Sequence, residues 1–508
     1  MQLSAQTLPA IANSAVVVPD AAIFSLPEKV LQFGTGVLLR GLPDYFIDKA
    51  NRHGLFNGRV VVVKSTDSGD AGAFDRQDGL YTLCVRGIED GHKVEENIIS
   101  SAISRVLSAR DQWSEILQLA HKPEMQIIVS NTTEVGIQLV EDDIRRRPPA
   151  SFPGKLLAFL YERYKAFNGS ADSGMVIVPT ELIVDNGKKL ASIVKELAQM
   201  HRLEASFIVW MESRCRFCSS LVDRIVPGRP DAVSLQQLTH DLGYTDDLIA
   251  IAEVYRLWAI EGDEKVRSVL SFAAADPGVI IEPDIEIYRE LKLRLLNGTH
   301  TLSCGLAFLS GFGTVKNAMD DTVFSTFVAD LMLKEIAPSI PYEVPLSEAR
   351  DFGLRVLDRF RNPHLQHQWL SITMQYSSKI RMRVVPVLLR HYERQHTPPA
   401  HMALGFAAYL LFMRATKKTQ DTWYGEFRGH SYPIHDDKAG YYAELWQKYP
   451  APEVATSSLK DKSLWGADLS ELPGFEGAVR LYLDDLLNKG AAATLAPLIK
   501  AGGARLVR

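Results

Sequence analysis

The stretch Arg59-Val60-Val61-Val62-Val63-Lys64 limits what this chain can fold into more than any other. Adjacent β-branched residues with no polar face make a strand that must be covered on both sides, as in parallel sheets flanked by helices. The surrounding sequence supplies the rest of such a sheet. Lys29 to Phe33 is a short apolar run ending in the glycine turn Gly34-Thr35-Gly36, and a helical pattern follows through Leu38, Leu42, Phe46 and Ala50. Further strands are expected at 125–130, 174–178 and 205–211, with helices at 154–168 and 187–200. This alternation predicts an α/β fold: an N-terminal, Rossmann-like, doubly wound parallel sheet.

The second half changes character. Helical patterns dominate over 288–309, 321–336, 346–360, 384–395 and 401–416, and strand signals are sparse. A boundary near Pro283 is expected, giving a nucleotide-binding domain over 1–282 and a C-terminal, mostly α-helical substrate and catalytic domain over 283–508.

At 508 residues the chain can bury a large core without covalent staples. A net charge of −5 gives no sign of nucleic acid as a partner, so an anionic small molecule needs a local cationic pocket. The four cysteines, Cys84, Cys215, Cys218 and Cys304, are too few for a disulfide framework and fit a reducing compartment. No signal-peptide pattern or membrane span is read, so the expected location is the cytoplasm and no membrane partner is expected. Cys215-Arg216-Phe217-Cys218 has the spacing of half a zinc site, but no second cysteine pair accompanies it, and no metal is expected. Oligomeric state is not legible.

Gly34 and Gly36 follow the first strand and open a helix. Such a turn lets the backbone approach a pyrophosphate, and the helix start favours negative charge. Leu39 occupies the position of the third glycine in the common pattern, and Arg40 and Gly41 follow. After the second strand, Asp67 would bind a ribose hydroxyl and favour NAD, whereas Lys64 would tolerate a phosphate there; NAD is the expected cofactor.

Lys292, Asn297 and His300 fall in one helical stretch. At ~100° per residue, His300 lies about 80° from Lys292 around the axis and Asn297 about 60° from His300, so all three line one side. The combination suits oxidation of a secondary alcohol. A lysine of lowered pKa takes the hydroxyl proton, an asparagine donates to the developing alkoxide, and a histidine orients the substrate. Spacing alone also fits an amphipathic helix with a snorkelling lysine.

The segment from Lys292 through Asn297 to His300 resembles the signature of the polyol-specific long-chain dehydrogenases, the mannitol dehydrogenase family. Gln77-Asp78-Gly79-Leu80-Tyr81-Thr82, Leu221 to Pro227 and Tyr255 to Glu261 agree with it. So do Ser130-Asn131-Thr132-Thr133-Glu134, Glu181 to Gly187, and Arg361-Asn362-Pro363 with His367-Gln368. The resemblance runs from about Val30 into the C-terminal region. It implies a nucleotide-binding domain followed by a helical one, and metal-free hydride transfer with NAD. It also implies Lys292 as general base, Asn297 in the oxyanion-stabilising group and His300 at the substrate. Glu134 resembles a glutamate that relays protons near the lysine; Gly34, Gly36 and Arg40 lie in the dinucleotide turn, and Asn131 and Thr132 near the nicotinamide.

Three departures point away from a plain polyol. Leu182 replaces an asparagine of the oxyanion site, Ser371 replaces an arginine eight residues before the substrate-binding Lys379, and Arg289 replaces a glutamate before Lys292. Lys379, Arg381 and Arg383 put three positive charges within five residues, suited to a carboxylate, with His367 as a further contact. The same charge run also fits a solvated helix face. A hexonate and its keto-hexuronate are the expected pair; another hexuronate, a neutral hexitol, a nucleotide-binding sensor without turnover and a zinc enzyme are the rivals.

Overall fold

The structure, a computed structural model, describes residues 1–65, 72–132 and 136–501. Two compact units divide the chain: Met1–Gly87 with His92–Ile285, and Ile88–Gly91 with Glu286 onward.

The first unit is built on a six-stranded parallel sheet. Its spatial order is Ile103–Ser108, Arg59–Lys64, Glu28–Phe33, Ile127–Ser130, Val176–Pro179, Arg216–Phe217. The valine run does what its composition requires. Val60 and Val62 enter one core with Val30, Leu83 and Trp258, while Val61 and Val63 enter the other with Leu31, Leu156 and Ile177. All four valines have 0% exposure. From Glu28–Phe33 the chain first builds outward to one edge, then returns to build Ile127–Ser130 on the other side. That reversal is the topological switch point where open α/β sheets bind ligands.

The expected strand at 205–211 is a helix, Ala205–Arg214. Phe207, Trp210 and Met211 are buried at helical spacing while Val209 is exposed, so the 3.6-residue period overrode local β propensity. The sixth strand comes just after it. Two smaller sheets also belong to this unit. One is four-stranded, in the order Val16–Val17, His92–Ser100, Tyr81–Glu89, Ala250–Glu253; the other is three-stranded, Ser220–Asp223, Leu257–Glu261, Val279–Glu282.

The second unit is mostly helical. Glu286–Leu291, Lys292–Gly298 and Thr299–Ser310 follow one another, and the middle segment is a π-helix. Leu331–Ile336 and Ile380–Val384 are also π-helical. Wide turns of this kind often sit at functional sites. The expected helix through 416 stops at Phe412, and a three-stranded antiparallel sheet follows, Ala415–Thr419, Thr422–Phe427 and His430–Ile434. Its strands carry Lys417, Lys418 and Glu426 outward, too polar for an apolar-run reading. Among the described residues no helix is long and apolar enough to cross a membrane.

Candidate active site

In the first unit the switch point is marked by two backbone groups. Gly34 has φ +125°, and a Cβ there would stand 3.0 Å from the Asn131 carbonyl oxygen and 3.0 Å from Leu39 Cδ1. Only glycine fits this corner. Gly36 caps the helix Val37–Gly41 with extended backbone, and a Cβ there would meet nothing within 4 Å. One glycine is needed by the fold and the other leaves open space over the turn. A cradle of this kind, at the C-terminal edge of the central strands, fits a dinucleotide pyrophosphate.

Arg40 lies on the helix that Gly36 caps. Its guanidinium is buried, donates to the Leu248 carbonyl and lies over the rings of Tyr81 at 5.3 Å and Phe74 at 5.8 Å. Burial lowers its pKa. Its backbone N–H closes the first turn after Gly36, on the Gly36 carbonyl at 3.4 Å, and the side chain runs inward from there. Asp67 and Glu134 lie outside the described residues.

Asn131 and Thr132 end the strand beside Gly34 and are held by a side chain that sequence reasoning gave no role. Glu181, only 3% exposed, accepts from Ser130 Oγ at 3.2 Å, from the Thr132 amide at 2.8 Å and from Thr132 Oγ1 at 3.0 Å. Asn131 Nδ2 donates to Thr180 Oγ1 at 2.9 Å. The loop after Glu181 is anchored by buried Asn186, whose Nδ2 donates to the Pro179 and Glu181 carbonyls at 3.0 Å each. Leu182, at the departure position, is 65% exposed on that loop. The Glu181-to-Gly187 segment carried the signal for this scaffold as a resemblance, without revealing that its carboxylate is structural.

In the second unit Lys292 and Asn297 lie within the π-helix and are partly buried, and His300 follows on the next turn, buried. The wider turn means that the angular spacing expected for an α-helix does not hold from Lys292 to Gly298. His300 stacks flat on Phe360, with ring centroids 4.1 Å apart, and meets His367 and Trp369 edge-on at 5.3 and 5.9 Å. Its Nε2 is buried with no hydrogen-bond partner among the described residues. A buried ring nitrogen left this way has its hydrogen-bonding capacity still to spend. The segment bearing His367 and Trp369 is fixed by short backbone bonds, Val315 N–H to the His367 carbonyl at 2.9 Å and Trp369 N–H to the Gly313 carbonyl at 3.0 Å.

Cations converge on these two imidazoles. Burial holds the His300 pKa well below the ordinary histidine value, and His367, Arg359, Arg383 and Lys379 push it further down. The His367 pKa is lowered by desolvation of its ring and then by Arg359 and Lys379. Lys379 is itself lowered by burial and by Arg383, and Arg383 by burial. Lys379 Nζ donates to the Ile372 carbonyl at 2.9 Å, and Arg383 Nη1 to Thr301 Oγ1 at 3.2 Å. Of the sequence candidates, then, Lys379, Arg383 and His367 gather with His300, and Arg359, which sequence reasoning missed, joins them. Arg381 does not: it is exposed and turned to the Ser463 carbonyl at 3.3 Å. On a widened helix it leaves the face shared by Lys379 and Arg383. Arg289 pairs with Glu286, and Ser371 is exposed.

Cys215 and Cys218 are buried free thiols whose pKa values burial pushes up to about 12. Among the described residues no group of three or more His, Cys, Asp or Glu is placed to hold a metal ion.

Comparison with known proteins accounts for both units. Residues 28–271 match the mannitol dehydrogenase Rossmann domain and residues 284–487 the mannitol dehydrogenase C-terminal domain. The chain is 38% identical to altronate oxidoreductase of Bacillus subtilis (strain 168) over 482 residues, covering 94% of this chain and 96% of that protein. It is 37% identical to altronate oxidoreductase of Escherichia coli O6:K15:H31, covering 93% and 97%. Among solved structures, Pseudomonas fluorescens mannitol 2-dehydrogenase in ternary complex with NAD and D-mannitol aligns over 98% of this chain and 100% of its own, with a TM-score of 0.66 at 23% identity. Substrate-free D-sorbitol dehydrogenase aligns over 97% and 100%, with a TM-score of 0.74 at 20% identity. The last two likenesses concern the fold; the domain matches and the near-full-length relatives together place this chain in the mannitol dehydrogenase family.

Proposed function

We propose that this protein is an NAD-dependent dehydrogenase that interconverts D-altronate and D-tagaturonate. The observation that carries the substrate class is the gathering of Arg359, Lys379 and Arg383 around His300 and His367 in a chain of net charge −5. Arg383 already lowers the Lys379 pKa, and a carboxylate beside the two relieves that repulsion through charge-assisted hydrogen bonds. The altronate oxidoreductases that resemble the chain over nearly its whole length support the same class of substrate.

Lys292 is the general base. In altronate oxidation its Nζ takes the hydroxyl proton while hydride leaves the same carbon; in tagaturonate reduction it returns a proton to the carbonyl oxygen. Asn297 donates to that oxygen as charge develops on it. His300, held neutral by burial and by the neighbouring cations, offers its free Nε2 to a substrate hydroxyl. Lys379 and Arg383 hold the carboxylate, with His367 beside them. Bound at the Gly34–Gly36 turn and beside Asn131 and Thr132, NAD supplies the hydride acceptor, and Asp67 is assigned to its ribose. Glu134 is assigned to proton relay from Lys292. The domain roles follow: cofactor on 1–282, substrate and base on 283–508.

The decisive assay follows NADH oxidation with tagaturonate, fructuronate and fructose. Preference for tagaturonate is expected. Preference for fructose would overturn the carboxylate assignment, and preference for fructuronate would keep the chemistry but change the substrate.

A further inference from the structure

The stretch carrying Lys379 and Arg383 runs as one helical path through Tyr376–Lys379, the π-turn Ile380–Val384 and Val385–Arg394. Pro386 is the second residue of the last segment. Its nitrogen carries no hydrogen, so it cannot donate to the Met382 carbonyl four residues back, and its ring crowds that carbonyl. The helix widens here: the Val385 N–H reaches the Ile380 carbonyl, five residues back. A carbonyl released in this way needs a donor from elsewhere.

Arg294 supplies the donor. Its Nη1 donates to the Met382 carbonyl at 2.6 Å and to the Arg383 carbonyl at 3.2 Å. Its remaining nitrogens are gripped by Glu290, Nε to Oε2 at 2.9 Å and Nη2 to Oε1 at 3.1 Å. Arg294 and Glu290 are 6% and 9% exposed, so this fork is desolvated and fixed in direction. A second tie runs in the opposite sense. Arg383 Nη1 donates to Thr301 Oγ1 at 3.2 Å, and Thr301 Oγ1 donates to the Asn297 carbonyl at 2.7 Å. The two π-turns are therefore pinned to each other at both the Arg294 and the Thr301 positions. One carries Lys292 and Asn297; the other carries Arg383 and directly follows Lys379.

Resting on the reading above, in which Lys292 serves the alcohol while Lys379 and Arg383 hold the carboxylate, we propose that Glu290 and Arg294 are positioning residues that set the distance between these two ends of the substrate. The pair then selects the length of the sugar acid without touching it. Sub-ångström control of this kind matters because a misplacement of about 1 Å costs on the order of 100-fold in rate.

The test measures kcat and KM with NAD for the six-carbon sugar acid and for a sugar acid one carbon shorter, in the wild type, Arg294→Lys and Glu290→Gln. The wild type is expected to prefer the six-carbon acid. Both variants are expected to lower that preference about 10-fold, with the pH profile of the remaining activity unmoved, because Lys292 itself is intact. Glu290→Gln keeps Arg294 and the side-chain volume, so it decides the matter if Arg294→Lys does not fold. Equal slowing of both acids would make the pair merely structural and overturn the proposal, as would an unchanged preference or a wild type indifferent to length. A wild type that turns over no sugar acid at all would reject the functional reading itself, an outcome distinct from active variants with an unaltered preference.

Discussion

The His300 imidazole lies flat on the Phe360 ring, with centroids 4.1 Å apart and planes within 9° of each other. This stacking buries the imidazole, and burial together with His367, Arg359, Arg383 and Lys379 keeps it from taking up a proton. A base whose folded pKa lies below its unfolded value is protonated first in the unfolded chain. Its contribution to stability is therefore intact above the ordinary histidine value near 6.5 and is lost as pH falls below that value. The slope approaches about 1.4 kcal/mol per pH unit for one such group. Denaturant melts between about pH 5 and 6.5 should show the wild type losing stability faster than His300→Gln, by up to one proton's worth of slope. Equal slopes would mean that His300 titrates normally in the folded protein.

Lys292 is partly buried, so truncating it leaves no large cavity. Lys292→Ala should melt close to the wild type and still bind NAD, yet lose about 100- to 10,000-fold in kcat, the usual worth of a positioned general base. Turnover near the wild-type rate would remove this lysine from the mechanism.

The two glycines of the turn should separate fold from cofactor. Gly34→Ala forces a Cβ into a φ of +125° and to within 3.0 Å of the Asn131 carbonyl oxygen, at a cost of about 1–3 kcal/mol in stability with or without NAD. Gly36→Ala meets nothing within 4 Å and has ordinary φ, so the free protein should melt unchanged. Only its gain in melting temperature on adding NAD should shrink, because the new methyl stands where the pyrophosphate approaches. An undiminished NAD shift in Gly36→Ala would place the cofactor elsewhere.

The sequence was most legible where one physical demand dominated. Val60 to Val63 required a strand covered on both faces, and the two cores receive them alternately. It misled where two demands competed, as at Ala205–Arg214, whose Phe207, Trp210 and Met211 obey a helical period that their β propensity obscured. The sheet over 415–434 was hidden because its turns use Gln420 and the Arg428-Gly429 pair in positive φ in place of the common Asn-Gly. The Asp90-Gly91 turn of the hairpin ending at Ser100 did carry such a signal. At the site, Lys292, Asn297 and His300 were readable as a signature. Arg359, Glu181 and Arg294 were not, because a buried charge acquires meaning only from partners far along the chain, such as Thr132 for Glu181 and Met382 for Arg294.

The three cations of the Lys379-to-Arg383 run should not be equivalent. Lys379 and Arg383 are partly buried and near enough to His300 to lower its pKa, whereas Arg381 is exposed and donates to the Ser463 carbonyl. A hydrogen bond to a charged partner in a desolvated site is worth about 1.5–3 kcal/mol, so losing one raises KM for a sugar acid about 10- to 100-fold. Lys379→Met and Arg383→Met should each show that rise, whereas Arg381→Met should stay within about 2-fold, as expected of a solvated charge. High salt should weaken sugar-acid binding in the wild type less than it weakens exposed ion pairs, because partial burial keeps dissolved ions from screening the cluster fully. Steady-state kinetics on the three variants, run at low and high ionic strength, checks both statements. A KM for Arg381→Met as high as that for Arg383→Met would show that the carboxylate sits on the exposed face of the helix, away from His300.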